Sequence, residues 1–205
     1  MTKLMLELAL RELAGSSGWS SIFLRYFNAA GADASGEIGE THNPETHLIP
    51  LVLKAAAGEL ETLSIYGDDY DTLDGTCIRD YIHVTDLSTA HFSALSKVLS
   101  EQVAEGINLG IEKGASVKEI IKVCEKITGK KVPITVAARR AGDPPRLVAN
   151  AAKARDVLHW KPEFDLNSIV SSAWKWQCHQ HKVDRRARQL NSNRTQASNA
   201  VHLLL

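Results

Sequence analysis

An α/β fold is predicted, and three observations predict it. Short apolar runs of strand length alternate with amphipathic segments of helix length along most of the 205 residues. The run Ile22-Phe23-Leu24-Arg25-Tyr26-Phe27 is nearly continuous in apolar side chains, as in a strand covered on both faces of a parallel sheet. Several helix-length segments close on a glycine, the ordinary left-handed stop.

Met1 to Ala14 crowds leucines among Lys3, Glu7, Arg11 and Glu12, which gives an amphipathic helix ending at Gly15-Ser16-Ser17-Gly18. Such a mixed segment is not a signal peptide. Trp19 to Phe27 is the first strand. Asn28 to Pro44, rich in Gly, Ala, Asp, Asn and Thr, reads as a long loop, and loops of that length are usually functional or mobile. Leu48 to Gly58 is a short helix and Thr62 to Gly67 a strand, followed by an acidic loop over Asp68 to Gly75.

Ile78 to His83 reads as one strand running into a helix that Thr85 caps, with Asp86 in its first turn at the positive end of the dipole. Gly106 to Gly110 is a strand. Ser116 with Glu119 three residues on is a capping box for a helix that stops at Gly129. Val132 to Ala137 is a strand, Arg139 to Arg146 a loop with three arginines and two prolines, and Ala151 to Leu158 a short helix. A last helix from Asp165 to about Gln180 opens on Asp165 or Asn167, and a polar, basic tail from Val183 onward reads as disordered.

Composition narrows the function classes. Twenty-four basic and 24 acidic side chains leave no net charge, which argues against sequence-independent nucleic-acid binding. No apolar run approaches the ~18 residues of a membrane span. Cys77, Cys124 and Cys178 are far apart and form no Cys-x-x-Cys pair, so reduced thiols in a cytoplasmic protein are expected. Cys178-His179-Gln180-His181 falls on a helix, where neighbours one and two apart face different ways, so no metal site is expected there or elsewhere. No Gly-x-Gly-x-x-Gly occurs, so no dinucleotide phosphate loop is assigned.

The run Gly75 to Leu87 carries the strongest chemical signal, because an arginine on a strand end can fork onto a diphosphate through two charge-assisted hydrogen bonds. The bland reading of Arg79 is a surface pair with Asp80 or Asp86. Arg25-Tyr26-Phe27-Asn28, Arg79-Asp80-Tyr81-Ile82-His83-Val84, Asn108-Leu109-Gly110 and Arg139-Arg140-Ala141-Gly142-Asp143-Pro144 occur in that order. With Trp160-Lys161-Pro162 near the end, they resemble the C-terminal half of the UDP-glucose 4-epimerase family of extended short-chain dehydrogenases/reductases, over about Met1 to His181.

That resemblance implies an NAD-dependent isomerase of galactose metabolism, in which sugar C4 is transiently oxidised. It implies the end of a Rossmann-like parallel sheet plus the smaller α/β substrate domain. Residues 1–28 would be a remnant of the NAD-binding domain, 29–182 mainly the UDP-sugar-binding domain, and 183–205 the tail. A UDP-hexose is the implied partner, with NAD as cofactor and a homodimer as the whole enzyme's state.

Residue by residue, Arg79 and Arg140 would take the diphosphate and Asp143 the uridine ribose, although Asp143 before Pro144 is equally a turn residue. Asn28 would touch the sugar and diphosphate, or simply end a strand. His47 stands where the best-known relatives carry asparagine, and the Leu48 amide would serve a phosphate at its helix start. Ser64, Ile65 and Tyr66 resemble the strand that meets the uracil, with sheet packing as the alternative for Tyr66. Tyr81 is counted with the substrate residues, and Leu147 would close the hexose end. A leucine there in place of tyrosine suggests room for an N-acetyl group. Tyr26 and Phe27 would lie beside the nicotinamide, or be plain core.

Met1-Thr2-Lys3-Leu4 looks like the end of the family's Tyr-Gly-x-Thr-Lys-Leu, which makes Lys3 the active-site lysine and puts the tyrosine two residues before Met1. On that register the chain alone is expected to be inactive and at most a weak UDP binder. Its first strand is expected to lie unpaired with apolar faces exposed. The alternatives are another nucleotide-sugar epimerase or dehydratase, or a non-catalytic UDP-sugar-binding fragment.

Overall fold

The computed structural model describes residues 2–183. In chain order its elements are α1 (Thr2–Ser17), β1 (Ser21–Arg25), β2 (Asn28–Ala30), α2 (Leu48–Ala57), β3 (Leu63–Tyr66), β4 (Ile78–Arg79), β5 (Tyr81–His83), α3 (Val84–Ser100), β6 (Ala104–Asn108), β7 (Ala115–Ser116), α4 (Val117–Thr128), β8 (Ile134–Ala137), β9 (Arg146–Leu147) and α5 (Ala152–Leu158). A final helix, α6, occupies 166–183. Of the expected tail only Val183 lies within the described residues, and it is helical.

Strand pairing is mostly parallel: β1 with β6, β2 with β5 and β3 with β8, plus a three-stranded sheet in the order β7-β4-β9. The expectation of an unpaired first strand is corrected here. Ser21 to Arg25 run in register with Ala104 to Asn108, and Ile22 and Leu24 pack half-buried against a hydrophobic core. Arg25 turns back to an ion pair with Glu7 on α1, and Arg11 donates to the Ala104 carbonyl at 3.1 Å, so α1 is tied to the same strand pair.

Two cores meet at β5. Tyr81 joins Ile49, Leu53, Ile65, Ile120, Cys124 and Ile169 between α2, α4 and α6. Its neighbour Ile82 joins Leu87, Ile107, Leu109, Leu158 and Trp160 on the other side. Successive strand side chains point to opposite faces, so three residues bridge both cores.

The stretch Ile78 to His83 is broken, against expectation, into two strands of different sheets. The break falls at Asp80, which is 1% exposed. Its carboxylate accepts from the N–H groups of Ile111 (3.1 Å), Glu112 (3.2 Å) and Ala149 (3.1 Å). Burial pushes its pKa up, and those three donors pull against the rise. Gly110 has to be glycine here, since a Cβ would stand 2.5 Å from both Asp80 Oδ2 and the Ala149 Cβ.

Helix α3 is capped by His83 rather than Thr85: the imidazole Nδ1 accepts from the Thr85 N–H at 3.0 Å. Asp86 instead accepts from the N–H groups of Glu163 and Phe164, tying the Trp160-Lys161-Pro162 segment to α3. The capping box of Ser116 and Glu119 forms as expected, and Gly58 and Gly129 end α2 and α4 in left-handed conformation. Asp165 opens α6, accepting from the Ser168 N–H at 2.8 Å. Helix α1 runs through Gly15 to Ser17, and the loop expected from Asn28 begins with the three residues of β2.

Candidate functional site

A cleft of about 300 Å³ opens between the start of α2, the end of β3, β4 and the 139–145 loop, with α6 closing one side. Asn28, His47, Leu48, Ser64, Tyr66, Arg79, Tyr81, Arg140 and Asp143 all line it. These residues are spread over more than 110 positions of sequence, and parallel strand pairing brings them together.

Arg79 is fixed at the cleft wall because its own strand pairs on both sides, with Ala115 on β7 and Leu147 on β9. Its guanidinium donates to the carbonyls of Pro144 (2.8 Å) and Ile78 (2.9 Å) and stands 3.5 Å from the Asp143 carboxylate. Neither Asp80 nor Asp86 is its partner, since both carboxylates accept from backbone elsewhere. Asn28 donates to the Asp80 carbonyl at 2.8 Å, which locks β2 beside the break that aims Arg79.

Two arginines of one loop rest on two tyrosines. Arg140 lies 3.8 Å over the Tyr66 ring and Arg139 lies 4.3 Å over Tyr70, both at cation–π range. Arg139 also donates to the Asp69 carboxylate at 2.6 Å and holds it below the usual carboxylate range. The Tyr81 phenol is raised well above its ordinary value by burial, with Arg79 pulling the other way, so it stays protonated as a possible donor.

The α2 N-terminus contributes to the cleft wall as well. His47 precedes the helix without capping it, so first-turn N–H groups remain free of a side-chain acceptor. Beside it stand Glu40, His42 and Glu45, which sequence reading passed over. The available signal was the alternate spacing Glu40-x-His42 and Glu45-x-His47. Trp176, Gln177 and Gln180 from α6 also line the cleft and were not foreseen.

Four expected site residues lie apart from this cleft. Tyr26 and Phe27, 43% and 39% exposed, line a neighbouring groove with Asn28, Val84 and Thr85. Lys3 is exposed on α1 and lines neither opening. Leu147 is 40% exposed beside Arg79 in the strand register and is absent from the cleft wall.

Residues 1–173 match the profile of a family described as GDP-mannose 4,6 dehydratase. The chain is 48% identical over 176 residues to a UDP-glucose 4-epimerase of Halalkalibacterium halodurans, covering 85% of this chain and 53% of that protein. It is 50% identical over 175 residues to one from Rhizobium meliloti, with the same coverage. Among solved structures it resembles UDP-glucose 4-epimerase from Brucella ovis in complex with NAD (TM-score 0.81, 49% identity, 84% of this chain and 54% of that one). It also resembles the Bifidobacterium longum enzyme in complex with NAD+ and UDP (TM-score 0.81, 40% identity, 86% and 53%). The chain spans about half the length of the curated relatives it matches. With a profile match over most of its length, and a parallel α/β architecture shared with extended short-chain dehydrogenases/reductases, the chain belongs to the GDP-mannose 4,6 dehydratase family.

Proposed function

We propose that this chain forms the UDP-sugar-binding part of an NAD-dependent UDP-glucose 4-epimerase, an isomerase that interconverts UDP-glucose and UDP-galactose. One observation carries the reading: Arg79, Arg140 and Asp143 line one cleft together with a helix N-terminus. Two guanidiniums and the positive end of a helix dipole in one cleft suit a diphosphate. Similarity to relatives named for this activity supports it.

In this reading Arg79 and Arg140 hold the two phosphates and Asp143 accepts from the ribose hydroxyls. Ser64 and Tyr66, exposed along the edge of β3, meet the uracil, which requires Arg140 to leave the Tyr66 ring face. Asn28 and Tyr81 stand toward the sugar, and the amide of Leu48 toward a phosphate. Leu147, beside Arg79 in the β4–β9 register, is proposed to close the hexose end, where a leucine leaves room for an N-acetyl group.

Lys3, Tyr26 and Phe27 are the residues that would adjoin NAD, and a bound NAD supplies redox chemistry at sugar C4 that side chains lack. Residues 1–28 then belong with the NAD-binding domain and 29–182 mainly with the substrate domain. The whole enzyme is proposed to be a cytoplasmic homodimer; no described helix is long and apolar enough to cross a membrane.

Calorimetric titration with UDP and with uridine tests the reading on this chain. UDP is expected to bind at least tenfold more tightly than uridine, and Arg79→Ala to weaken UDP by about 10- to 100-fold, from charge-assisted hydrogen bonds of about 1.5–3 kcal/mol. Equal affinities for UDP and uridine, or an indifferent Arg79→Ala, would overturn it.

A further inference from the structure

Four side chains on the cleft wall form a cluster, and the nucleotide-sugar reading takes up only His47 among them. His42 Nδ1 lies 2.9 Å from Glu40 Oε1 and 3.8 Å from Glu45 Oε2. His47 Nδ1 lies 2.6 Å from the same Glu40 oxygen and 3.1 Å from Glu45 Oε1. One ligand atom from each of the four falls within 4.8 Å of all the others. A tetrahedral ion with bonds of about 2.1 Å needs ligand atoms about 3.4 Å apart, inside that range.

Charge separates an ion site from a plain hydrogen-bonded cluster. The Glu45 side chain is 4% exposed and Glu40 24% exposed. Among the described residues, no lysine or arginine pairs with either carboxylate. Two such carboxylates, one nearly buried, lack a permanent counter-charge in a setting that favours one. A dication supplies it.

The ligands are also held from behind. Glu45 Oε1 accepts from the N–H groups of Thr46 and His47, both at 2.8 Å. The Glu40 carbonyl accepts from Trp176 Nε1 at 2.9 Å, and Thr41 Oγ1 accepts from Gln180, which docks the 40–47 segment on α6. Outer contacts of this sort orient metal ligands. We propose that Glu40, His42, Glu45 and His47 form a closed binding site for one divalent cation of the zinc class. Two imidazoles with two carboxylates select Zn2+ or its neighbours over Mg2+ and Ca2+, which take oxygen alone.

The test uses the 205-residue chain without nucleotide, so its outcome is independent of UDP binding. After stripping with EDTA, Zn2+ is expected to bind at one ion per chain, undisturbed by a hundredfold excess of Mg2+. His42→Gln and His47→Gln are each expected to weaken it by about 10- to 100-fold. His179→Gln, on α6 against Trp176, is expected to leave it unchanged. Both cluster histidines are about half exposed, and melting curves in EDTA that coincide with the parent verify folding of the variants. Independently of any variant, X-ray absorption of the Zn2+-loaded chain should count two imidazole and two oxygen ligands. No stoichiometric binding, binding insensitive to both cluster variants, or a different ligand count would overturn the proposal.

Discussion

His83 Nε2 lies 2.9 Å from Ser172 Oγ, so the cap of α3 is bonded directly to α6 across 89 residues of chain. The surrounding bonds assign the tautomer. Nδ1 accepts from the Thr85 N–H and carries no proton, so Nε2–H donates to Ser172. Ser172 Oγ accepts from the Ala32 N–H and donates to the Ile169 carbonyl.

This junction makes stability depend on pH. Burial lowers the His83 pKa, against a smaller opposing pull from Asp86. The folded chain therefore binds a proton less readily than the unfolded chain. Stability is complete above about pH 6.5 and falls as pH drops below it, at no more than about 1.4 kcal/mol per pH unit from this group. Urea unfolding between pH 5 and 8 (a range of about the histidine window) should show this slope, and His83→Gln should flatten it.

Gly31 guards the same junction. Its φ is +87°, and a Cβ there would stand 2.7 Å from His83 Cδ2 and 3.0 Å from Ser172 Oγ. Gly31→Ala is expected to lower stability by about 1–3 kcal/mol through backbone strain and loss of that bond, read as a shift in the urea midpoint.

Asp80→Asn tests the strand break. The carboxylate serves three N–H donors with two oxygens, whereas an amide offers one oxygen and turns its NH2 toward a donor. Leaving at least one buried N–H unsatisfied should cost about 1–3 kcal/mol at neutral pH. An unchanged unfolding midpoint would show that the break has another cause.

Trp160→Phe removes the indole N–H that donates to the Asp86 carbonyl (3.1 Å) and to Thr89 Oγ1 (3.0 Å), in a side chain 5% exposed. Lost volume and a lost buried donor should together cost about 2 kcal/mol. Calorimetric melting reads the loss directly.

Arg79→Lys separates fork geometry from charge. Lysine keeps the charge but has no planar pair of donors. UDP affinity should fall about tenfold, and isothermal titration at fixed salt measures it. Recovery of full affinity by lysine would make charge alone sufficient.

Local signals made much of this molecule legible in sequence. Ser116 with Glu119 announced α4, and Gly58 and Gly129 announced two helix ends, because each device works within a few residues. The break at Asp80 was hidden because its partners lie 31 and 69 residues away, and nothing in an alternating strand-like run announces them. The cap of α3 is His83 and not the commoner cap type Thr85, and the bond that holds the imidazole in place comes from Ser172, 89 residues away. In the cleft, Arg79, Arg140 and Asp143 were legible as parts of ordered motifs. Glu40, His42 and Glu45 read as ordinary loop polarity until the fold turned them onto one another.

The arrangement around Arg79 has a consequence for how a ligand is taken up. Its donors already serve the Pro144 carbonyl, with Asp143 close by, while Arg140 rests on Tyr66. An anion of the proposed kind would enter by exchange, displacing Pro144 and Asp143 of the 139–145 loop from Arg79 and Tyr66 from Arg140. Under the proposed function, occupancy of the cleft and release of residues 139–145 would be two faces of one equilibrium, and a substitution that loosens the loop would alter affinity without touching the ligand.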